Sequence, residues 1–294
     1  MRFIGQPFTF GFQQVGTNCG LIGQNAALEV DGAAYWFSEN GFFKYSGNLE
    51  TMICLVEDFV YDDLNTTANQ LINVGLNNLF GEITWFYCTE SSTVINRCVT
   101  YNYMDSTPQR PVWTTGTLNR GAWQDSSVFG LPHATYFNSG DDASFDVIGN
   151  TDGSTIYFEH ETGTDQVAEG SVTTIQSNIE SGDFDISARR GITGQATGIA
   201  DIKGDGEYIM KLRRFIPDFL SQTGDTQITL QLRNYSNDAY ASSPLGPFTI
   251  TSSTDKIDTR ARGRAMSLKI ANTGSSQSWK LGTFKLDIQP DGRR

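Results

Sequence analysis

The chain has 294 residues, of which 38% are hydrophobic and only 18% are charged, and it contains 30 Gly and 8 Pro. This composition suits short strands and many turns better than helices, so it predicts an all-β protein. The formal net charge of −12 excludes general adhesion to nucleic acid, yet the charge is uneven: residues 1–202 hold 7 Lys and Arg against 24 Asp and Glu, whereas residues 203–294 hold 14 against 9.

The sequence contains no targeting or membrane signal that we recognise. No apolar run approaches the roughly 20 residues of a membrane-spanning helix, and Gln, Gly and Pro interrupt the apolar residues near the N-terminus. We therefore expect synthesis in the cytoplasm and no membrane insertion by this chain. The cysteines lack a C-x-x-C pair and are typical of reduced, buried thiols, with a Cys88–Cys98 disulfide as the less favoured alternative: Cys19, Cys54, Cys88 and Cys98.

The first part of the chain reads as a series of small antiparallel meanders. Between residues 26 and 53, short apolar runs are separated by Val-Asp-Gly, Glu-Asn-Gly and Ser-Gly-Asn, which favour tight turns. Val56, Phe59 and Val60 then repeat at helical spacing and predict a short helix. Further strands are predicted in "GEITWFYC", "VINRCVTYNYMD", "VWTTGTL", "HATYFN", "ASFDVIG" and "STIYFEHE". Small sheets repeated about every 40 to 50 residues indicate propeller-like blades, and a Greek-key sandwich is the alternative.

The character of the sequence changes after this series. A polar stretch at residues 165–181 leads into a Gly-rich stretch at residues 189–206, so we predict two domains, 1–168 and 169–294. The second part contains five strand candidates, which predict a C-terminal β-sandwich-like region. These candidates lie in "GEYIMKLRRFIPDFL", "TQITLQLRNYS", "LGPFTITS", "AMSLKIAN" and "WKLGTFKLDIQ".

The sequence offers little material for catalysis. His133 and His160 are its only histidines, and no nucleophile elbow, zinc-binding helix motif, P-loop or dinucleotide fingerprint occurs. In "DIKGDGE", Lys203 stands where a calcium loop needs an oxygen ligand. We therefore expect no enzyme activity, no catalytic residues, no metal and no cofactor.

A carbohydrate-binding or glycan-hydrolysing β-propeller of the receptor-binding type is the alternative function. Tryptophans can stack on sugar rings, and a pair of carboxylates can hydrolyse a glycosidic bond. The aromatic candidates are Trp36, Trp85, Trp113, Trp123 and Trp279, and the acidic candidates are Glu57, Asp58, Asp62 and Asp63.

The closing segment resembles a known family. It consists of "RARGRAMSLKI", a Gly/Ser linker and "WKLGTFKLDIQPDGRR", and it is similar to the end of the tail nozzle, tail hub and packaged-DNA stabilisation proteins of short-tailed bacteriophages. Upstream stretches resemble the same family, in the expected order: "NCGLIGQNAALEVDGAAYW", "GFFKYSGNLETMICLVEDFVYDDLN", "EITWFYC", and "VTYNYMD" with "VWTTGTLNRGAW". The likeness is to the C-terminal portion of these proteins.

The resemblance implies a non-enzymatic virion structural protein with a β-propeller. Such a subunit assembles as a ring, expected to be a hexamer, in the tail nozzle, hub or neck around the channel through which DNA leaves the capsid. Its partners would be further copies of itself and neighbouring tail or portal/adaptor proteins. The viral DNA would pass without tight binding, because an acidic surface repels phosphate.

The basic residues near the C-terminus are the candidate site. On an extended chain, three arginines that alternate with small residues point the same way and can fork onto carboxylates of a neighbouring subunit. A solvated strand edge and a phosphate contact in the DNA channel are the alternatives. The candidates for a subunit interface or DNA channel are Arg260, Arg262, Arg264, Arg293 and Arg294.

Overall fold

The computed structural model describes residues 2–125, 131–137, 155–168, 171–185, 208–235, 237–239 and 244–292. Strands account for 51% and helix for 6% of the structure, and the strands form several antiparallel sheets, none of them closed. The all-β prediction is therefore confirmed. The chain divides into two compact units, Met1–Thr162 and Gly163–Arg294.

The strands of the Met1–Thr162 unit pair mainly with their neighbours in sequence. Sheet orders are β1-β2, β3-β4-β5-β6, β10-β9-β8-β7 and β11-β12-β13. Helix α1 (Glu57–Asp63) and a 3-10 helix (Thr66–Leu71) lie between the two four-stranded sheets in sequence. The strands are β1 (Arg2–Phe3), β2 (Phe10–Gly11), β3 (Ala27–Val30), β4 (Ala33–Ser38), β5 (Gly41–Tyr45), β6 (Leu49–Met52), β7 (Asn73–Asn77), β8 (Glu82–Tyr87), β9 (Arg97–Asn102), β10 (Trp113–Gly116), β11 (Ala122–Gln124), β12 (His133–Phe137) and β13 (Thr155–Glu159).

Tight turns set the register of the first meander, as the sequence predicts. Val30 pairs with Ala33 across a two-residue turn, in which Asp31 and Gly32 have φ of 53° and 78°. Two positive φ values are what a type I′ hairpin turn requires, and Asp-Gly accepts them at little cost. This short turn places Val30, Ala33 and Tyr35 on one buried face of the sheet.

Strand β8 of the β7–β10 sheet is buried on both faces from Trp85 to Tyr87. Ile83, Trp85 and Tyr87 of β8 point into a core shared with the first meander and α1. Phe86, between them, points to the opposite face and packs in a second core with Trp123 of β11. A strand that is buried on both faces needs large apolar or aromatic residues at successive positions, which explains the run "WFYC".

The first strands of successive sheets lie beside one another. Asn25, just before β3, forms a parallel bridge with Asn73, the first residue of β7. Between β7 and β11, the Trp123 indole N–H donates to the carbonyl oxygen of Leu76 over 3.1 Å, and the Leu76 N–H donates to Asp125 Oδ1 over 2.9 Å. The strands β3, β7 and β11 therefore form one row, with each sheet extending away from that row.

The Gly163–Arg294 unit contains longer strands with more distant pairings. Its sheets have the orders β14-β15, β16-β22-β19-β20, β21-β17-β24 and β18-β23. The strands are β14 (Asp165–Ala168), β15 (Ser171–Thr174), β16 (Asn178–Glu180), β17 (Met210–Ile216), β18 (Phe219–Thr223), β19 (Thr226–Arg233), β20 (Leu245–Ile250), β21 (Ile257–Gly263), β22 (Ala265–Asn272), β23 (Ser278–Leu281) and β24 (Lys285–Pro290).

Two sheets of this unit share one core. The four-stranded sheet contributes Ile228, Leu230 and Leu268, and the β21-β17-β24 sheet contributes Leu212 and Phe215. The alternation in "TQITLQLR" predicts one buried face, and the buried positions are Thr226, Ile228 and Leu230. The two closing strands, β22 and β24, lie in different sheets of this unit, and β24 pairs with β17 rather than with β22.

Some predicted elements fall where the structure gives no description. The predicted strand at residues 143–149, the turn at residues 151–153 and the Gly-rich stretch at residues 189–206 lie outside the described residues. The boundary after residue 168 stays a prediction.

We expect Gly75→Ala to destabilise the Met1–Thr162 unit by about 1–3 kcal/mol. A Cβ at position 75 would lie 2.3 Å from Trp123 Cγ, so the indole would have to leave the site where β11 packs on β7. Urea unfolding followed by tryptophan fluorescence measures the effect. Gly20→Ala is the matched control, because its Cβ meets nothing within 4 Å. Equal losses for the two variants would contradict this packing.

Candidate functional site

A β-bulge in β17 builds the strongest charged surface that we find among the described residues. Leu212 and Arg214 pair with the adjacent residues Ile288 and Asp287 of β24, so Arg213 is the extra residue. Leu212 is buried and Arg213 exposed. A bulge sets two residues against one and lets the inward register resume beyond it, here at the buried Phe215. Arg213 and Arg214 consequently both lie on the outer side of the sheet.

The outer side of the β21-β17-β24 sheet, which we call the cationic face, combines residues of all three strands. In register, Lys211 lies between Arg262 on one side and Gln289 on the other, and Ile216 lies beside Lys285. Its cations are Lys211, Arg213, Arg214, Arg260, Arg262 and Lys285. Like charges on directly paired positions, such as Lys211 and Arg262, destabilise a sheet.

Three carboxylates offset part of this charge. Arg214 Nε lies 2.7 Å from Asp258 Oδ1, and Arg262 Nε lies 2.7 Å from Asp291 Oδ2. The hydrogen bond from Arg214, followed by that from Lys256, lowers the pKa of the Asp258 carboxyl. The same bond, with the charges of Asp258 and Asp287, raises the pKa of Arg214. Asp258 is therefore ionised throughout the neutral range.

The structure brings together only part of the predicted basic cluster. Arg260 and Arg262 are exposed on β21, and the buried Ala261 between them faces the core. Arg264 lies after the end of β21, where its backbone N–H donates to the carbonyl oxygen of Arg233. Arg264 is half-buried at the step from one sheet to the other. Arg293 and Arg294 lie outside the described residues.

Sequence reasoning missed four cations of the face, namely Lys211, Arg213, Arg214 and Lys285. A signal was present in "MKLRRFI", because two adjacent arginines interrupt an otherwise alternating strand. A bulge at that point is the arrangement that keeps both arginines out of the core and Phe215 within it.

The tryptophans are used to join structural elements. Trp85 is fully buried and Trp113 nearly so. All five indole N–H groups donate to other parts of the chain: Trp36 to Cys19 O, Trp85 to Ala26 O, Trp113 to Ile53 O, Trp123 to Leu76 O and Trp279 to Ser177 Oγ. Because Trp85 and Trp113 are buried, their rings are unavailable for stacking on a sugar ring.

Of the acidic residues of α1, Asp63 is paired within the unit. Its Oδ2 lies 2.9 Å from Arg97 Nε, whose guanidinium lies 5.5 Å from the centre of the Phe59 ring. Of the apolar residues whose spacing predicts this helix, Val60 is fully buried and Phe59 is exposed. Asp58 and Asp62 are exposed one helical turn apart.

His160 lies beside a buried arginine. Arg120 Nε donates to His160 Nε2 over 2.9 Å, and the Arg120 guanidinium lies 4.2 Å from the centre of the Phe158 ring. Burial lowers the pKa of Arg120 to about 10. Burial, then the charge of Arg120, then His133, lower the pKa of His160 to about 4. His160 is therefore neutral at pH 7 and serves Arg120 as a hydrogen-bond acceptor.

Three of the thiols are not activated. All four cysteines are free, including Cys88 and Cys98. Burial raises the pKa of both of these thiols to about 11 and that of Cys54 to about 12, so all three stay protonated at neutral pH. A protonated thiol is a poor nucleophile and a poor metal ligand.

In the described part of the chain, no group of three or more His, Cys, Asp or Glu side chains could hold a metal ion. Within the same residues, no helix is long and apolar enough to cross a membrane.

Comparison with known proteins identifies no relative of this chain. No model of a known protein family matches the sequence, and neither does any curated protein.

Acidification should destabilise the Met1–Thr162 unit through His160. Because its folded-state pKa is depressed to about 4 from 6.5, the unfolded chain binds this proton more readily between these pH values. Stability is therefore fully present above the unfolded pKa and falls as the pH drops towards 4, by about 2 kcal/mol after allowance for partial exposure. Urea unfolding at pH 7.5 and 4.5 measures the difference.

His160→Gln is the matched variant for this measurement. The Gln oxygen can still accept a hydrogen bond from Arg120, but the side chain does not titrate. We expect the variant to lose less stability than the wild type on acidification. An unchanged pH dependence would show that His160 is not the responsible group.

Proposed function

We propose that this chain is a non-enzymatic structural subunit of a short-tailed phage tail, which assembles as a ring around the DNA exit channel in the nozzle, hub or neck. In this proposal Met1–Thr162 forms an arc of propeller-like blades, and Gly163–Arg294 forms a β-sandwich-like region. The subunit resides in the virion, contacts further copies and neighbouring tail or portal/adaptor proteins, and guides or retains the genome without a cofactor.

The row of first strands is the observation that carries the proposal. Successive blades of a propeller place their first strands around the central axis, and each blade then extends outwards as a meander. The sheets β3–β6, β7–β10 and β11–β13 are consecutive meanders, and β3, β7 and β11 lie side by side. Together with the resemblance of the sequence, this arrangement supports an arc of blades.

The distribution of charge also supports a role beside DNA. The Met1–Thr162 unit holds 5 Lys and Arg against 18 Asp and Glu, a net charge of −13, whereas Gly163–Arg294 holds 16 against 15, a net of +1. An acidic lining repels phosphate and offers few Lys or Arg side chains that could bind it and release its counterions. DNA can therefore pass without adhesion.

The purified chain should form a discrete assembly, close to six times its 32.4-kDa mass. Closed rings have a fixed number of copies, so one mass should persist over a wide range of concentration. Mass photometry and light scattering of a dilution series measure this number. A chain that stays monomeric up to high concentration would count against a self-assembling ring.

Duplex DNA should not bind the assembly at physiological salt. The net charge of −12 per chain repels phosphate, so fluorescence anisotropy with a labelled duplex should give no signal in the micromolar range. An acidic protein of similar mass and a basic DNA-binding protein serve as negative and positive controls. Micromolar affinity with a steep salt dependence would refute the repelling channel.

A further inference from the structure

We propose that the cationic face of one copy binds a surface on the first unit of a second copy. We call this surface the α1 patch, formed by Leu55, Asp58, Phe59 and Asp62. The inference deepens the proposed function, on which it rests, because it assigns the contact between neighbouring subunits of the ring.

The α1 patch is acidic at its polar positions and apolar between them. Asp58, Phe59 and Asp62 lie on one side of the helix, and Leu55 precedes the helix with the matching spacing. Leu55 is 70% exposed and Phe59 47% exposed. An exposed apolar cluster rimmed by charge is typical of a surface that binds another protein.

The two carboxylates of the α1 patch are available to bind cations of a partner. Asp63 is satisfied by Arg97, whereas neither Asp58 nor Asp62 forms an ion pair within the described residues. One helical turn separates the two side chains, so two cations on a flat opposing surface can bind them together.

The cationic face offers the complementary arrangement. Its ion pairs engage Arg214 and Arg262, while Lys211, Arg213, Arg260 and Lys285 form no ion pair with the residues that the structure describes. Arg213 and Arg260 are exposed on adjacent strands, β17 and β21. Ile216, 36% exposed beside Lys285, supplies an apolar position for Leu55 or Phe59 to contact.

A protein partner fits this face better than DNA does. Asp258, Asp287 and Asp291 are interspersed among the cations, and each would repel a phosphate backbone. A mixed surface of both signs suits a protein surface that also carries apolar groups. The Met1–Thr162 unit of another copy, with its net charge of −13, is an acidic partner that is always present at the same concentration.

Ring symmetry favours a contact between two different surfaces. A ring of more than two copies needs a head-to-tail interface, in which every subunit uses one patch towards each neighbour. The cationic face and the α1 patch are two such patches on separate units of the chain. Isolated exposed ion pairs contribute little, so the apolar side chains within the patch have to supply part of the binding.

A charge exchange between the two surfaces tests the contact. We expect Arg213→Glu/Arg260→Glu and Asp58→Lys/Asp62→Lys each to raise the dissociation constant of self-association at least tenfold, measured by sedimentation and mass photometry. The quadruple variant, which exchanges the charges of both surfaces, should restore association to within about threefold of the wild type. Raising the salt concentration should weaken the wild-type contact.

Arg110→Glu/Lys280→Glu is the matched control for net charge. Both positions are exposed and lie outside the two surfaces, so this variant changes the charge by the same amount and should associate like the wild type. Thermal unfolding of each variant verifies that it is folded. Arg213→Ser/Arg260→Ser, which introduces no new charge, replaces the Glu variant if that variant does not fold.

The outcomes separate the contact from the proposed function. If both double variants assemble as the wild type does, the contact is overturned, but the ring remains and other surfaces build it. A wild-type chain that is monomeric at every salt concentration would overturn the contact and count against the ring as well. DNA binding by the wild-type chain that disappears in the Arg213→Glu/Arg260→Glu variant, with assembly unaltered, would identify the face as a phosphate-binding surface and overturn the contact.

Discussion

Burial of strand β8 on both faces is the constraint on which the Met1–Thr162 unit depends. Neither side of this strand can be exposed to water without exposing a large side chain, Trp85 on one face and Phe86 on the other. The first meander therefore has to cover one side, and β11 has to cover the other. The absence of a side chain at Gly75 lets Trp123 approach closely enough to do so. Stacking of sheets, and not any one sheet, is what stabilises this unit.

The same unit uses its tryptophans to fix how neighbouring elements meet. Each ring supplies a large apolar contact area, and its N–H bonds a carbonyl oxygen of another element, as Trp85 does with Ala26 and Trp113 with Ile53. An unpaired N–H in such a core would be costly, so each bond favours one relative placement of the elements. Folding therefore explains the positions of Trp85 and Trp113.

In the second unit, one inserted residue links core packing to surface charge. The bulge in β17 keeps Leu212 and Phe215 in the core while Arg213 and Arg214 remain outside. Repulsion between cations on one face of the sheet destabilises the fold, and the bond between Asp258 and Arg214 offsets only part of that repulsion. A surface that opposes folding in this way is readily understood if it serves binding, which is why the proposed contact uses it.

The sequence by itself determined the all-β class, the positions of many strands and the basic residues Arg260 and Arg262, because alternation and turn chemistry act between residues close along the chain. The tertiary structure decided which strands pair, that Phe59 is exposed, and that Lys211 and Lys285 join the arginines on one face. These features depend on contacts between residues far apart in sequence. The pair of arginines in "MKLRRFI" marks the bulge, but no local pattern identifies the partner of a strand, so only the folded chain reveals the cationic face as a single surface.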